Sequence, residues 1–309
     1  MRPHHEPVLV AAVLHHLCNG PGLYLDATLG DGGHAEALLE AEPGARVLGT
    51  DRDPAALAFA GGRLARFGDR VMLAHATFSE VPAAHAGHGG ELLAGALLDL
   101  GLSSRQIDDS ARGMSFMHDG PLDLRMDPTR GEGAAVRLAQ IEPEALADVL
   151  RAYGDVTAAL RLARALVLEA HAGRLTTTHQ LVAAMDRALG GRSHPRRYAQ
   201  VFQALRIWVN AEADELDAML QWLPDAVRPG GVVVTLAYHS GEDRRIKQSL
   251  RGPRPEPSLR RLPWNPDQRP PEGPWEAIQR KIVVPTPDEI ESNPRARSAR
   301  LRAFRRKSA

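Results

Sequence analysis

DATLGDGGHAEALLEAEPGARVLGTDRDP, residues 26–54, reads as the centre of a βαβ unit. The apolar run before it, residues 23–27, predicts a strand closed by Asp26. Gly30, Gly32 and Gly33 then crowd one turn. Three glycines so close together let the backbone take unusual dihedrals and let a ligand approach without interference from a Cβ. A helix is expected from about 34 to 41, with its free N–H groups and positive dipole end opening on the same turn. Residues 46–50 predict the second strand, with Asp51 at its carboxyl end. Asp51 follows the first glycine by about twenty residues, the distance at which a βαβ unit sets a carboxylate on ribose hydroxyls. The pattern Gly-x-Gly-Gly lacks the third glycine of the dinucleotide fingerprint. It points to an adenosine-type ligand without saying which; a plain βαβ unit whose glycines only form a turn is the alternative.

Outward from this unit, residues 70–74 (RVMLA) predict a third strand, followed by Thr77, Phe78 and Ser79. Residues 93–100 (LAGALLDL) predict a fourth, its near-continuous apolar run implying burial on both faces. Strands alternating with helices argue for a parallel doubly wound sheet, which binds ligands at the carboxyl ends of its strands. Asp51, Phe78 and Asp99 stand at or just beyond three such ends, so two acids and an aromatic converge on one crevice. Residues 232–238 (VVVTLAY) predict a fifth buried strand that ends in His239.

The remaining segments are less regular. Residues 4–17 look like a leading helix packed on the sheet, with Pro7 in its first turn. Its histidines (His4, His5, His15, His16) do not make a metal site, because adjacent helix residues face different directions. Residues 112–127 form a long loop without clear period but with apolar anchors (Met114, Phe116, Leu122, Leu124, Met126), which favours an ordered functional loop. From 134 to 190 the pattern is helical throughout. Phe202, Leu205, Val209, Ala213, Leu216 and Leu220 then form one continuous stripe, expected as a single long helix returning to the sheet. Residues 250–275 carry eight prolines and read as an extended loop, with a further strand candidate over 278–284. The tail holds seven basic residues between Arg295 and Lys307 and no acid. With Arg192, Arg196 and Arg197 it suits phosphate contact. A solvated charged face is the alternative, and Leu301 and Phe304 suggest that part of the tail packs as an edge strand.

Composition sets the class. The chain has 309 residues, 43% of them apolar, so a real core is available and general disorder is excluded. Its formal net charge is zero, so only local clusters speak about partners. One cysteine, Cys18, allows no disulfide framework or cysteine-based metal site within the chain. With neither a signal-peptide pattern nor a long apolar span, the expectation is a soluble, cytoplasmic protein without membrane attachment.

Eight motifs, in order along the chain, carry a resemblance to a known family. They are HEPVL at 5–9, DATLGDGGHAEALL at 26–39, DRDP at 51–54, LLDLGLSSRQID at 97–108, RGMSFMHDGPLDLRMD at 112–127, FQALRIWVNAE at 202–212, YHSGEDR at 238–244 and NPRARSARLR at 293–302. The chain resembles the bacterial small-subunit rRNA methyltransferase H family, also called MraW. The resemblance implies an α/β class I (Rossmann-like) S-adenosylmethionine-dependent methyltransferase with an inserted all-helical domain. The parts are then expected at 1–112 (methyltransferase, first part), 113–207 (helical insert for substrate recognition) and 208–309 (methyltransferase, second part with the basic tail). It implies methyl transfer to N4 of a cytidine, cytidine 1402, in the decoding region of 16S rRNA within the small ribosomal subunit. No obligate protein partner is evident. Carried over position by position, the cofactor contacts fall on Gly32, Gly33, His34, Asp51, Phe78, Asp99 and Gln106. Asp31, Gly241, Tyr238 and the residues before FQALRI depart from the family pattern.

Cytosine N4 is a poor nucleophile because its lone pair is delocalised into the ring, so a hydrogen-bond acceptor at the amine helps it pyramidalise. Asp99 and His239 are the candidate catalytic residues, with Asp99 open to a cofactor role instead. The target base must also leave its stack. Two other classes fit parts of the sequence: a nucleotide-dependent oxidoreductase on the same βαβ logic, and a catalytically silent ribosome-assembly factor that keeps the fold.

Overall fold

The computed structural model describes residues 7–251, 273–279 and 281–308. The chain divides into two compact units, Met1–Gly101 with Glu215–Ala309, and Leu102–Asp214.

The first unit is built on seven strands: β1 (Gly22–Asp26), β2 (Ala45–Asp51), β3 (Val71–His75), β4 (Leu93–Asp99), β5 (Val227–Ala237), β6 (Trp275–Ala277) and β7 (Arg300–Arg306). Their order is β3-β2-β1-β4-β5-β7-β6. The first five are parallel, and β7 runs antiparallel between β5 and β6. This is the Rossmann-like α/β sheet that the class I resemblance implies. The strand order reverses beside β1, where a doubly wound sheet opens its ligand crevice. Asp26 pairs in register with Gly49 on one side and Leu97 on the other, so β2 and β4 each run two residues past the end of β1, to Asp51 and Asp99.

Helices cover both faces of this sheet, which explains why its central strands are apolar without alternation. Helices α1 (Val10–Leu17), α2 (Gly33–Ala41) and α3 (Pro54–Leu64) bury Val13, Leu38 and Ala60 against Tyr24, Leu97 and Val234. On the other face α4 (Val81–Gly87), α11 (Glu212–Ala226) and α12 (Ser240–Arg251) bury Val81, Leu220 and Ile246 against Leu25, Leu98 and Val233. A short helix, α13 (Pro287–Ser292), precedes β7.

The second unit is helical: α5 (Ser104–Asp108), α6 (Ala134–Leu138), α7 (Pro143–Gly154), α8 (Ala159–His171), α9 (Thr178–Leu189) and α10 (Pro195–Val209). Leu146, Leu150, Leu162, Leu166, Leu181 and Leu205 are fully buried in its core. The loop 112–127 is ordered against that core by Met114, Leu122, Leu124 and Met126, all buried. Arg112 donates to the carbonyl of Met126 at 3.0 Å, and Arg125 grips Asp123 through two hydrogen bonds of 2.8 and 2.6 Å.

Several expectations change. Pro7 lies ahead of α1, which begins at Val10, and serves a different contact described below. The stripe from Phe202 to Leu220 is carried by two helices. Asn210 ends α10 because its side chain turns to the loop, accepting from the N–H of Met126 (2.8 Å) and donating to the carbonyl of Leu124 (2.7 Å). Ala211 then takes a φ of +50°. The unit boundaries fall at 101/102 and 214/215, where 112/113 and 207/208 were expected. Leu102 packs on the helical core and Arg112 on its loop, so residues 102–112 go with the second unit. Among the described residues of 278–284 no strand forms: β6 lies earlier, and Val283 makes an isolated bridge to Leu301. The basic tail supplies β7, an inner strand instead of an edge. Leu301 and Ala303 face one core and Phe304 the other, and Arg302 is neutralised by buried Asp243 at 2.6 Å. The proline-rich segment lies largely outside the described residues. Among the described residues no helix is long and apolar enough to cross a membrane, and no group of three or more His, Cys, Asp or Glu is placed to hold a metal.

Candidate functional site

The glycine turn between β1 and α2 is packed closely enough that its missing Cβ atoms matter. Gly30 and Gly32 have φ of +52° and +78°, where other residues are strained. A Cβ on Gly32 would meet Ala60 and Leu64 at 3.3 Å, and one on Gly33 would meet Cγ of Pro7 at 2.3 Å. The turn is closed by Gly32 N–H donating to the Leu29 carbonyl at 2.8 Å. Helix α2 starts at Gly33, so its first N–H groups and the positive end of its dipole open on the turn.

Asp51, at the end of β2, ties this turn to the next helix. Its Oδ2 accepts from Gly30 N–H and its Oδ1 from Asp53 N–H, both at 2.8 Å. Burial pushes its carboxyl up to about 6 despite those two donors. Asp26, at the end of β1, is 4% exposed. Its Oδ1 accepts from Thr28 N–H at 3.3 Å, and its Oδ2 has no hydrogen-bond partner. Burial pushes this carboxyl up to about 7.

Asp99 ends β4 beside them. Thr28 Oγ1 accepts from its N–H at 2.6 Å, joining the β4 end to the β1 loop. Its Oδ1 accepts from the Tyr238 hydroxyl at 2.8 Å, and its Oδ2 lies 3.4 Å from Nε2 of His34. The latter is an ion-pair distance without hydrogen-bond alignment, and both ring nitrogens of His34 are buried without a hydrogen bond. Buried polar groups are normally satisfied. Asp26 Oδ2 and the His34 ring therefore mark a place for a polar ligand, beside the glycine turn. Phe78 opens a 3-10 turn just past β3, two residues after Ala76, whose N–H donates to the Asp51 carbonyl at 3.1 Å. Ser79 fixes that turn by donating to Glu215 from its N–H (2.7 Å) and its hydroxyl (3.1 Å).

Gly32, Gly33, His34, Asp51, Phe78 and Asp99 thus gather at the carboxyl end of one sheet. Gln106 belongs to the second unit. There its N–H donates to Oγ of Ser103 at 3.2 Å and its Oε1 accepts from Ser103 N–H at 3.1 Å, forming a capping box on α5. His239 follows β5. Its Nδ1 accepts from Gly241 N–H at 3.2 Å and Glu242 N–H at 3.4 Å, which leaves the proton on Nε2, 3.1 Å from Glu242 Oε1. Sequence reasoning gave no site role to Asp26 or Thr28, read Pro7 as the first turn of a helix and saw Tyr238 as a departure and the last residue of the fifth-strand run. Asp26 carried a signal, a carboxylate closing a buried strand beside the glycines.

Comparison with known proteins agrees over nearly the full length. The model of the MraW methylase family matches residues 2–307. A Sorangium cellulosum protein named ribosomal RNA small subunit methyltransferase H is 46% identical, covering 92% of this chain and 85% of that protein. Proteins of the same name from Beutenbergia cavernae and Thermomicrobium roseum are 41% and 42% identical, each over 98% of this chain and 92% and 93% of their own lengths. On the family match and these identities, the chain belongs to the MraW methylase family.

Proposed function

We propose that the first unit binds S-adenosylmethionine and that the protein methylates N4 of a cytidine in the decoding region of 16S rRNA. The relatives' shared name supports rRNA of the small subunit as substrate. The observation that carries the cofactor reading is the turn at the start of α2: closely packed glycines, a helix N-terminus, and unsatisfied polar atoms on Asp26 and His34. Gly32, Gly33 and His34 would hold the amino-acid end, Asp51 the ribose hydroxyls, and Phe78 the apolar face of the adenine. Gln106 is a further contact by family resemblance. When bound, the cofactor supplies an electrophilic methyl group on a sulfonium.

Because the donor is already reactive, the chain's task is to place the amine in line and exclude water. Asp99 is the acceptor for the N4–H: its carboxylate stands at the β4 end, and Oδ2 keeps lone pairs beyond the single bond that Tyr238 makes to Oδ1. His239 suits this less well, since one ring nitrogen caps α12 and the other faces Glu242. Arg192 ahead of α10, Arg196 and Arg197 in its first turn, and Arg297 and Arg305 in the tail are exposed and suit RNA phosphates. Arg302 and Arg306 are held by Asp243 and the Pro224 carbonyl, and do not. Asp99→Ala tests the assignment. A lower single-turnover rate at saturating cofactor is expected, and a loss confined to cofactor affinity would move Asp99 to the binding residues.

A further inference from the structure

The Tyr238 side chain reaches the Asp99 carboxylate directly. Its hydroxyl donates to Asp99 Oδ1 at 2.8 Å across 139 positions of sequence. The ring that delivers the hydroxyl is held from two sides. Gly101 lies against it so closely that a Cβ there would sit 3.3 Å from Tyr238 Cδ2. The Tyr238 N–H donates to Glu242 Oε2 at 2.8 Å, fixing the backbone where β5 turns into α12. On the opposite oxygen, Asp99 Oδ2 faces His34 Nε2 at 3.4 Å without an aligned hydrogen bond. The two oxygens are therefore not equivalent: one is occupied by a donor anchored just past the end of β5, and the other has its lone pairs available.

We infer that Tyr238 is a positioning residue for methyl transfer, fixing the Asp99 carboxylate so that Oδ2 is the oxygen offered to the incoming amine. This rests on the reading of Asp99 as the N4–H acceptor. A carboxylate free to rotate presents either oxygen over a range of directions, whereas one held at Oδ1 presents a single acceptor direction. Misplacement of a reacting group by about 1 Å costs up to about a hundredfold in rate. The tyrosine suits the task because burial and the adjacent carboxylate push its phenol far above its ordinary value. It stays a donor throughout the working pH range.

The test is a double-mutant cycle read by more than activity. Tyr238→Phe, Asp99→Ala and the double variant are compared in single-turnover transfer at saturating S-adenosylmethionine, in cofactor affinity by calorimetry, and in thermal melting. The Asp99 carboxyl resonance is followed with carbon-13 label. Tyr238→Phe is expected to slow transfer by about ten- to a hundredfold, the loss of one hydrogen bond to a charged group. Cofactor affinity should stay within about twofold, by the same reasoning that Oδ1 faces Tyr238 and not the ligand. The Asp99 resonance should move, and in the Asp99→Ala background the substitution should cost nothing more. An equal loss in both backgrounds would make Tyr238 merely structural and overturn the inference, as would an unchanged rate or an unmoved resonance in Tyr238→Phe. If Asp99→Ala itself leaves the rate intact, the reading of Asp99 fails instead. Should Tyr238→Phe not fold, 3-fluorotyrosine at 238, a stronger donor of nearly the same shape, is expected to shift the Asp99 resonance in the direction of stronger hydrogen bonding; no shift would overturn the inference.

Discussion

Gly33→Ala is a sharp perturbation because its cost is tied to one neighbour. The new Cβ would meet Pro7 Cγ at 2.3 Å and Cδ at 3.2 Å, with Cβ of Pro7 at 3.4 Å. Gly33 does not have a positive φ, so crowding is the whole effect. Forcing extra volume into a packed site costs about 1–3 kcal/mol. At about 2–4 °C per kcal/mol for a unit of this size, the melting temperature should fall by roughly 2–12 °C. If the turn shifts to absorb the clash, cofactor affinity falls instead, by about five- to 150-fold for the same energy. Pro7→Ala removes Cγ and Cδ and leaves only the contact at 3.4 Å, which is ordinary. Thermal melting and S-adenosylmethionine calorimetry on the four members of the cycle give the answer. Gly33→Ala should be nearly silent when introduced into Pro7→Ala, a coupling of about 1–3 kcal/mol between residues 26 apart in sequence. A penalty that persists unchanged without the proline ring would refute the reasoning. Gly32→Ala provides the contrast: with φ at +78° and Ala60 and Leu64 at 3.3 Å, no single trimming should rescue it.

Other consequences are independent of that contact. Asp51 holds its proton below about pH 6, so S-adenosylmethionine affinity, measured by calorimetry from pH 8 down to 5, should weaken by up to about tenfold per pH unit below that point. Asp26 is raised from its unfolded value of 3.8 to about 7, so the folded state binds the extra proton and stability of the ligand-free protein falls as pH rises through that window. Asp26→Asn keeps the acceptor for Thr28 and should remove this slope, melting higher than the parent at pH 8 and equally near pH 4. Asn210→Ala strips the buried Met126 N–H and Leu124 carbonyl of their partners, at about 1–3 kcal/mol each. Faster proteolysis within 112–127 is expected, and an unchanged cleavage rate would show that the loop is held by its apolar anchors alone.

The parallel strands were legible because burial on both faces leaves a run of apolar residues that needs no tertiary information to recognise. Asp51 and Asp99 were legible for the same reason, since a strand end is visible wherever such a run stops. What escaped was decided by partners far away in sequence. Pro7 reads locally as a helix start, but its ring is needed over Gly33. The stripe through 202–220 reads as one helix, but Asn210 spends its side chain on a loop 84 and 86 residues earlier. The tail reads as a charged edge because nothing local reveals that Asp243 waits for Arg302. Tyr238 reads as a simple variation because nothing local places its hydroxyl on Asp99, 139 residues earlier.

Methyl transfer from labelled S-adenosylmethionine to small ribosomal subunits lacking this modification, followed by nucleoside analysis, tests the central claim most directly. Label in N4-methylcytidine is the expected result. Label in any other nucleoside, or none while the cofactor still binds, would contradict it.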